Sequence, residues 1–336
     1  MKNFEYYRPF TVAEAVGLLG TSYGTTELLA GGTDLHDLQK EYVAQPTRLV
    51  SVNFINTLTG VSTDGNDPPR VVTIGAGAKL GAIASDPTLV RHFPSLTSAA
   101  GQVGGPQIRN VATLGGNLCQ RNRCWYFRDE HVNCILKGGT ECYAQHGENR
   151  YHAVFTEGHD CVMVNPSTLA PTLMALGASA TVQGPSESPR EVELTSFFQA
   201  PDQPNEREHV LASNEIVTKV TIPNNNLANA SYEVRQKQSY DWPLVQAAVA
   251  FRLRNGIATN VRVVLGHVAP IPIMATAAAQ ALNGQRITQE TATAAGRAAT
   301  GNAKPLQQNG YKVKLIEVSV KRAILLAAGE QPYWEA

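Results

Sequence analysis

Cysteine is the residue type whose clustering in this chain most directly indicates chemistry. All five cysteines of the 336-residue sequence lie between residues 119 and 161, at Cys119, Cys124, Cys134, Cys142 and Cys161. Cysteines that only fill a core pack like other small apolar residues and would be scattered along the chain. The clustering therefore predicts a metal or redox site in this segment, which we call the cysteine loop (residues 119–161).

The spacing of the cysteines distinguishes between kinds of metal centre. No pair has the Cys-x-x-Cys spacing that structural zinc sites commonly use. Four well-separated thiolates in an irregular loop can instead wrap a larger inorganic core, such as an iron–sulfur cluster. The spacing therefore favours an iron–sulfur cluster and leaves zinc as the alternative.

Four ligands drawn from five cysteines leave one over. Cys119 directly follows a glycine-rich segment with another expected role, so we assign it as the spare. An odd cysteine count and an N-terminal stretch without the apolar run of a secretory signal argue against a disulfide framework. The four predicted metal ligands are Cys124, Cys134, Cys142 and Cys161. Mixed cysteine and histidine ligation stays open, because the loop also contains His131, His146, His152 and His159.

Basic residues are interspersed among these cysteines. They either offset the negative charge of a thiolate-ligated centre or form an ordinary solvated surface. These residues are Arg121, Arg123, Arg128, Lys137 and Arg150.

Composition excludes several classes of function. Lys plus Arg equals Asp plus Glu at 28 each, so no basic excess indicates a nucleic-acid partner. No stretch approaches the roughly 20 apolar residues needed to cross a bilayer. We therefore expect a soluble protein that is cytoplasmic, or periplasmic by export together with a partner that carries the signal.

Glycine-rich turns are the second candidate site. Residues 30–35 lie between a predicted strand (27–30) and a predicted helix (34–42), where bare backbone can approach a pyrophosphate. A second segment, residues 107–117, places hydroxyl, amide and backbone donors in one predicted loop. A third, Asn165-Pro166-Ser167, opens a predicted helix. Three such turns suit an extended, doubly phosphorylated ligand, although residues 75–81 lack the spacing of a dinucleotide-binding Rossmann fold.

The elements that position these residues form three units. We predict an α/β unit at 1–60 that begins with a helix at 11–19, and a second α/β unit at 61–222 that carries the cysteine loop. Within the second unit we predict one helix near 89–100, and we predict a linker at 223–229. A hairpin that turns at Asn255-Gly256, followed by three helices, indicates a sheet-and-helix domain at 230–330.

These segments together carry a resemblance. Residues 30–35, 107–117, 165–176 and 234–240 resemble, in order and spacing, the FAD-binding medium subunit of the xanthine dehydrogenase family of molybdenum hydroxylases. The resemblance spans essentially the whole chain. The cysteine loop resembles that of two narrower branches, periplasmic aldehyde oxidoreductase and 4-hydroxybenzoyl-CoA reductase, and the sequence Arg123-Cys124-Trp125-Tyr126-Phe127 is closer to the aldehyde enzyme.

The resemblance implies an α+β fold and a set of cofactor contacts. The FAD-binding domain would be of the vanillyl-alcohol-oxidase type with two subdomains, followed by a C-terminal domain of the CO dehydrogenase flavoprotein type. Thr168 departs from the family, in which Asp is common, and Cys119 stands where a bulky apolar residue is usual. The implied pyrophosphate contacts are Ala30, Gly31, Gly32, Thr33, Asp34 and Leu35. The implied contacts elsewhere on the FAD are Thr113, Gly115, Gly116, Asn117, Ser167, Lys237 and Tyr240.

The same resemblance implies partners and a role. A large subunit would oxidise the substrate at a molybdenum cofactor, and a small subunit would carry electrons through [2Fe-2S] centres. This chain, with FAD and one [4Fe-4S] cluster, would pass the electrons to an external acceptor. Two alternatives stay open, a self-contained flavin oxidase using Tyr240 or His267 as its acid–base group, and a non-enzymatic scaffold stabilised by zinc.

Overall fold

The described part of the chain contains three separate β-sheets. The computed structural model describes residues 1–186, 188–237, 239–332 and 334. Its strands are β1 (Glu5–Tyr7), β2 (Thr26–Leu29), β3 (Arg48–Ser51), β4 (Val61–Thr63), β5 (Val71–Gly75), β6 (Ser179–Gln183), β7 (Arg190–Glu193), β8 (Ile216–Pro223), β9 (Ala228–Arg235), β10 (Pro243–Arg254), β11 (Ile257–Gly266) and β12 (Ile273–Met274). Its α-helices are α1 (Val12–Leu18), α2 (Leu35–Lys40), α3 (Leu80–Ser85), α4 (Pro87–His92), α5 (Pro94–Gln102), α6 (Pro106–Val111), α7 (Leu114–Cys119), α8 (Trp125–Arg128), α9 (Leu169–Leu176), α10 (Thr276–Leu282), α11 (Gln289–Ala298) and α12 (Tyr311–Ala327).

The first unit is a small parallel sheet with two helices. Its strand order is β1-β3-β2, and Leu28 of β2 pairs with Val50 of β3. Helix α1 begins after Thr11, whose hydroxyl accepts a hydrogen bond from the Glu14 amide at 3.2 Å. The helix predicted at 11–19 and the strands predicted at 27–30 and 48–52 are present within one or two residues.

The second unit is built on a five-stranded antiparallel sheet in the order β4-β5-β8-β6-β7. Strand β8 returns to the middle of this sheet, where Val220 pairs with Ile74. The single helix predicted near 89–100 is wrong, because the chain forms α4 and α5 with a break at Phe93. The residue before a proline avoids helical geometry, and Pro94 opens the second helix.

The predicted glycine loop at 107–117 is more regular than expected. The structure forms the short helices α6 and α7 there, joined at Ala112 and Thr113. The cysteine loop that follows has little regular structure, with α8 and two single 3₁₀ turns at Ile135–Lys137 and Tyr143–Gln145. Its cysteines are therefore positioned by tight turns and individual contacts and not by long helices or strands.

The C-terminal domain is a four-stranded antiparallel sheet, β9-β10-β11-β12, covered by α10, α11 and α12. Asn255 and Gly256 both have positive φ in the turn between β10 and β11, as the sequence predicts. The linker predicted at 223–229 is too long, because β9 already begins at Ala228. Ala228 and Ala230 are partly buried and pack against the domain core. Packing therefore holds this end of the strand, although such small residues give no strong sequence signal for a strand.

Helix α9 joins the second unit to the C-terminal domain. All eight of its residues are buried, and its core also contains Ala248, Ala250 and Val264 from β10 and β11. A helix that is apolar on every side is buried on every side. Among the described helices, none is both long and apolar enough to cross a membrane.

Candidate functional site

A large cleft lies where the first two units meet the C-terminal domain. Its volume is about 820 Å³, which is within the range of ligand sites in proteins. Its walls include residues 30–35 and Tyr240, together with Thr113, Gly115, Gly116 and Asn117 from the second glycine-rich segment. The structure thus brings most of the predicted cofactor contacts to one cavity.

The first glycine turn is shaped by its contact with the end of helix α6. A Cβ atom on Gly31 would overlap the carbonyl oxygen of Val111, and a Cβ on Gly32 would overlap the His36 ring. Gly32 also has a φ of +73°, which L side chains rarely adopt. Gly31 therefore lets residues 30–35 and 111–117 approach each other at the cleft wall, whereas Gly32 lets the turn pack against His36.

The second glycine turn is held against strand β5. The Gly115 amide donates to the Ala76 carbonyl at 2.8 Å, and a Cβ on Gly115 would lie within 3.1 Å of the Ala76 methyl group. The Thr113 hydroxyl accepts from the Gly116 amide at 3.1 Å, which caps α7. Thr113 and Gly115 thus stabilise the turn and also line the cleft.

Ser167 lies behind the cleft wall, and its contact with the cofactor stays a prediction. It is 1% exposed and does not line the cleft, whereas its neighbour Thr168 does. The Ser167 hydroxyl donates to Asn117 Oδ1 at 2.7 Å and accepts from the Ala170 amide at 3.1 Å. Ser167 therefore orients the side chain of Asn117, which itself lies on the wall.

The C-terminal domain contributes aromatic residues to the cleft mouth. Tyr240 is 67% exposed, has a φ of +57°, and places its ring against the backbone of Gly105. Trp242 lies beside it, with the Arg123 guanidinium 4.7 Å from its ring centre. Lys237 is exposed and does not line the cleft, and its amide donates to Asp241. Gln238, the residue after Lys237, lies outside the described residues.

Asp34 connects the first glycine turn to the cysteine loop. Its carboxylate accepts from the Arg121 amide at 2.8 Å and from Arg128 Nη2 at 2.5 Å, and it pairs with Arg123 at 3.1 Å. Burial lowers the pKa of Arg123, and Asp34 counteracts that effect. The sequence leaves two roles open for these arginines, offsetting the charge of a metal centre or forming a solvated surface, and the structure gives three of them defined partners at the cleft.

Four cysteines of the loop converge in one partly apolar pocket. The Cys142 and Cys161 thiols hydrogen-bond to each other, which lowers the pKa of Cys142 and raises that of Cys161. Cys124 is close enough to Cys134 and Cys142 for their charges to raise its pKa further, although burial is the main cause of its rise to about 12. The apolar residues around these cysteines are Leu38, Phe127, Leu136 and Met163.

Local backbone bonds bring these cysteines together. The Ile135 amide donates to the Glu141 carbonyl at 3.0 Å, which places the residue after Cys134 beside the residue before Cys142. A Gly138-Gly139 turn with a positive φ at Gly138 closes this small loop. Tight backbone turns therefore replace the Cys-x-x-Cys knuckle that the sequence lacks.

Cys119 lies apart from the other four. It lines the cleft and packs against the core of the second unit, and burial raises its pKa to about 12. Tyr23 also lines the cleft, and its hydroxyl donates to the Leu211 carbonyl at 2.7 Å. The assignment of Cys119 as the cysteine without a metal role stays a prediction.

The four loop histidines differ in burial, and His159 is half-buried. His131 and His146 are exposed, whereas His152 is 3% exposed with Nε2 3.2 Å from Cys124 Sγ. Burial and the nearby Lys312 lower the pKa of His152 to about 4. Among the described residues, no three His, Cys, Asp or Glu side chains are placed to hold a single metal ion.

Two buried charges anchor the loop, and sequence reasoning missed both. Glu208 is fully buried and accepts from the Asn122 amide and side chain at 2.9 Å, with Arg121 2.8 Å away. Lys312 is 1% exposed, and its ammonium donates to the carbonyls of Tyr151, His152 and His267 at 2.9–3.0 Å. Burial lowers its pKa to about 7. Neither position carries a local pattern that signals burial.

Sequence comparison identifies the class of the protein. Residues 2–225 match the family described as FAD binding domain in molybdopterin dehydrogenase, and residues 230–327 match the CO dehydrogenase flavoprotein C-terminal domain. The chain therefore belongs to the FAD-binding medium subunits of the xanthine dehydrogenase and CO dehydrogenase family, which are subunits of oxidoreductases. The expected α+β fold with these two domains is confirmed.

Individual relatives span almost the whole chain. The aldehyde oxidoreductase FAD-binding subunit PaoB of Escherichia coli K12 is 32% identical over 94% of this chain and 95% of its own length. The carbon monoxide dehydrogenase medium chain of Hydrogenophaga pseudoflava is 27% identical over 96% of each chain. A solved carbon monoxide dehydrogenase structure from the same organism superposes with a TM-score of 0.74 at 28% identity and covers 98% of both chains.

Proposed function

We propose that this chain is the electron-transfer flavoprotein subunit of a three-subunit molybdenum hydroxylase. A large partner subunit would oxidise the substrate at a molybdenum cofactor, and a small partner would carry electrons through [2Fe-2S] centres. FAD held in the cleft would supply the redox chemistry that delivers these electrons to an external acceptor. Support comes from relatives that are described as medium chains or FAD-binding subunits over almost their full length.

This chain's own residues would bind and orient the cofactor. The backbone of residues 30–35 offers a side-chain-poor surface for a pyrophosphate, and Asn117 presents an amide whose orientation Ser167 fixes. Tyr240 and Trp242 stand at the mouth of the cleft, where aromatic rings can cover a planar ligand. Lys237 does not line the cleft, so it would have to reach the FAD from outside the cleft wall.

We also propose that Cys124, Cys134, Cys142 and Cys161 hold a [4Fe-4S] cluster. Burial raises the pKa of Cys124, so its thiolate needs a nearby positive centre to persist. A zinc ion would require the ligands to converge on one point, whereas each sulfur around an iron–sulfur cube binds a different iron. The four cysteines lie near each other but come from separate turns of the loop, an arrangement that suits ligands to different irons of one cluster.

The observation that carries this proposal is the direct bonding between the two loops. Asp34 belongs to the first glycine turn of the cleft, and Arg121, Arg123 and Arg128 belong to the cysteine loop. These ion pairs are largely shielded from water, with Arg128 only 11% exposed. The two cofactor sites would therefore form one redox unit.

The alternative of a self-contained flavin oxidase is less well supported by the geometry. Such an enzyme needs an acid–base group that faces the substrate beside the flavin. His267 is 2% exposed and does not line the cleft, and burial lowers its pKa to about 3. Tyr240 does line the cleft, but it is 67% exposed at the mouth and is therefore open to water, which does not suit an acid–base group enclosed beside a flavin.

The compartment and the substrate are part of the proposal. We propose a cytoplasmic location, or a periplasmic one reached by export together with a partner subunit. The similarity to an aldehyde oxidoreductase subunit makes aldehydes the first substrates to test with the complete complex.

An anaerobic purification of the full chain tests the proposal. We expect flavin absorption bands together with a broad iron–sulfur shoulder at roughly 400 nm, and co-purification of two further subunits when the chain is tagged in its native host. A colourless protein that contains zinc would overturn the proposal. Oxidation of aldehydes by this chain alone would instead favour the oxidase.

A further inference from the structure

We propose that His152 raises the reduction potential of the iron–sulfur cluster by donating a hydrogen bond from its Nε2–H to the Cys124 sulfur. This inference rests on the proposed [4Fe-4S] cluster and concerns a residue that is not among its four ligands. The Nε2 atom lies 3.2 Å from Cys124 Sγ, which is well within hydrogen-bond distance for a sulfur acceptor.

The surroundings of the ring select the tautomer that can donate. His152 Nδ1 is buried, and no protein group in the described part of the chain hydrogen-bonds to it. A buried N–H without an acceptor costs more free energy than a buried lone pair, because the donor loses its water. The neutral ring therefore carries its hydrogen on Nε2, which faces Cys124.

The ring is held rigidly in this position. Its centre lies 5.1 Å from that of Trp125 in an edge-to-face arrangement and 6.3 Å from that of Tyr126. The His152 carbonyl accepts from Lys312 Nζ at 3.0 Å and from Asn309 Nδ2 at 3.2 Å. Packing on the ring and hydrogen bonds on the backbone fix the donor before any metal binds.

Hydrogen bonds to cluster sulfurs act on the redox equilibrium through charge. The reduced cluster carries one more negative charge than the oxidised one, so a donor aimed at a ligand sulfur stabilises the reduced form more. Removing the donor should therefore lower the midpoint potential. The low dielectric of the pocket, which is lined by Phe127, Leu136 and Met163, strengthens the effect.

The test is a redox titration of the full chain, purified anaerobically and followed by low-temperature electron paramagnetic resonance. We expect His152→Leu to keep its iron and to lower the midpoint potential by about 59 mV, which corresponds to about a tenfold change in the one-electron equilibrium. His152→Gln, which retains an N–H near the position of Nε2, should recover much of the shift. His131→Leu is the matched control, because His131 has an 86% exposed side chain that contacts Glu130.

The outcomes separate this inference from the proposed function. Wild-type protein without a cluster signal would refute the [4Fe-4S] proposal itself. A cluster present in both proteins at the same potential would overturn only the role of His152. If His152→Leu does not retain iron, His152→Phe keeps a ring between Trp125 and Tyr126 without a donor and takes its place. Loss of iron in both variants would show that His152 is structural and would also overturn the inference.

Discussion

Asp34 and Arg128 join the candidate flavin cleft to the cysteine loop. Arg128 Nη2 donates to Asp34 Oδ1 at 2.5 Å, while Arg128 Nη1 donates to Asp37 at 2.8 Å. Arg128 also holds its own loop, since its Nε donates to the Asn122 carbonyl at 2.8 Å. A shift of either the first glycine turn or the cysteine loop would therefore be transmitted to the other through this guanidinium.

Loss of this connection should loosen the cysteine loop. We expect Arg128→Leu to lower the free energy of unfolding by about 1–3 kcal/mol, because two carboxylates lose charged hydrogen bonds, and to speed the loss of iron to a chelator. Denaturant unfolding and timed chelation measure these effects. Arg150→Leu is the control, since its pair with Glu148 is about half exposed and should contribute little. Equal behaviour of the two variants would count against the structural role of Arg128.

The close approach of the two glycine turns gives a steric prediction. Gly31→Ala should reduce the FAD content of the purified chain several-fold, because its methyl group would push against the Val111 carbonyl and separate the walls. The bound flavin is measured by absorbance after release from the protein. Gly17→Ala is the matched control, because its Cβ would meet nothing within 4 Å on helix α1. Full flavin content in Gly31→Ala would place the pyrophosphate elsewhere.

The separation of the cysteines into four and one can be tested directly. Cys134→Ser should lose most of the iron while keeping FAD, because Cys134 lies in the pocket of the loop and not on the cleft wall. Cys119→Ser should keep both, since Cys119 packs against the core of the second unit. Iron and flavin are measured on the same samples. Loss of iron from Cys119→Ser alone would reverse the assignment of the spare cysteine.

Buried His267 predicts how stability depends on pH. Its folded pKa of about 3 lies below an unfolded value of about 6.5. The unfolded chain therefore binds the proton first as the pH falls, so the free energy of unfolding decreases by about 3 kcal/mol between pH 6.5 and 4 from this group. His267→Asn should flatten this dependence, and asparagine tolerates the φ of +62° found there. Denaturant unfolding of both proteins between pH 6.5 and 4 measures this effect. An equal dependence of the free energy of unfolding on pH in the two proteins would contradict the prediction.

Local signals in the sequence were sufficient where the structure depends on local chemistry. Thr11 caps helix α1, and Asn255-Gly256 turns the hairpin, because hydroxyl capping and positive φ are properties of a few adjacent residues. The glycine turn at 30–35 was found for the same reason. The helix break at Pro94 is equally local, because the residue before a proline avoids helical geometry, but the single helix predicted near 89–100 did not include it.

Tertiary contacts were beyond the reach of such reasoning. Glu208 and Lys312 are ordinary surface residue types, and their burial depends on partners 86 and 160 residues away, such as Asn122 and His152. The hydrogen bond from Ser167 to Asn117 joins residues 50 positions apart, so no local pattern could predict it. Spacing could separate Cys119 from the four cysteines predicted to bind metal, but only the fold shows which residues surround those four.

Chemical analysis of the anaerobically purified full chain tests the central claim most directly. The account predicts about four iron and four acid-labile sulfide per chain together with about one releasable FAD. Protein that contains neither iron with sulfide nor flavin would contradict it. Protein that contains flavin but no iron would refute the proposed [4Fe-4S] cluster and leave only the proposed flavoprotein role.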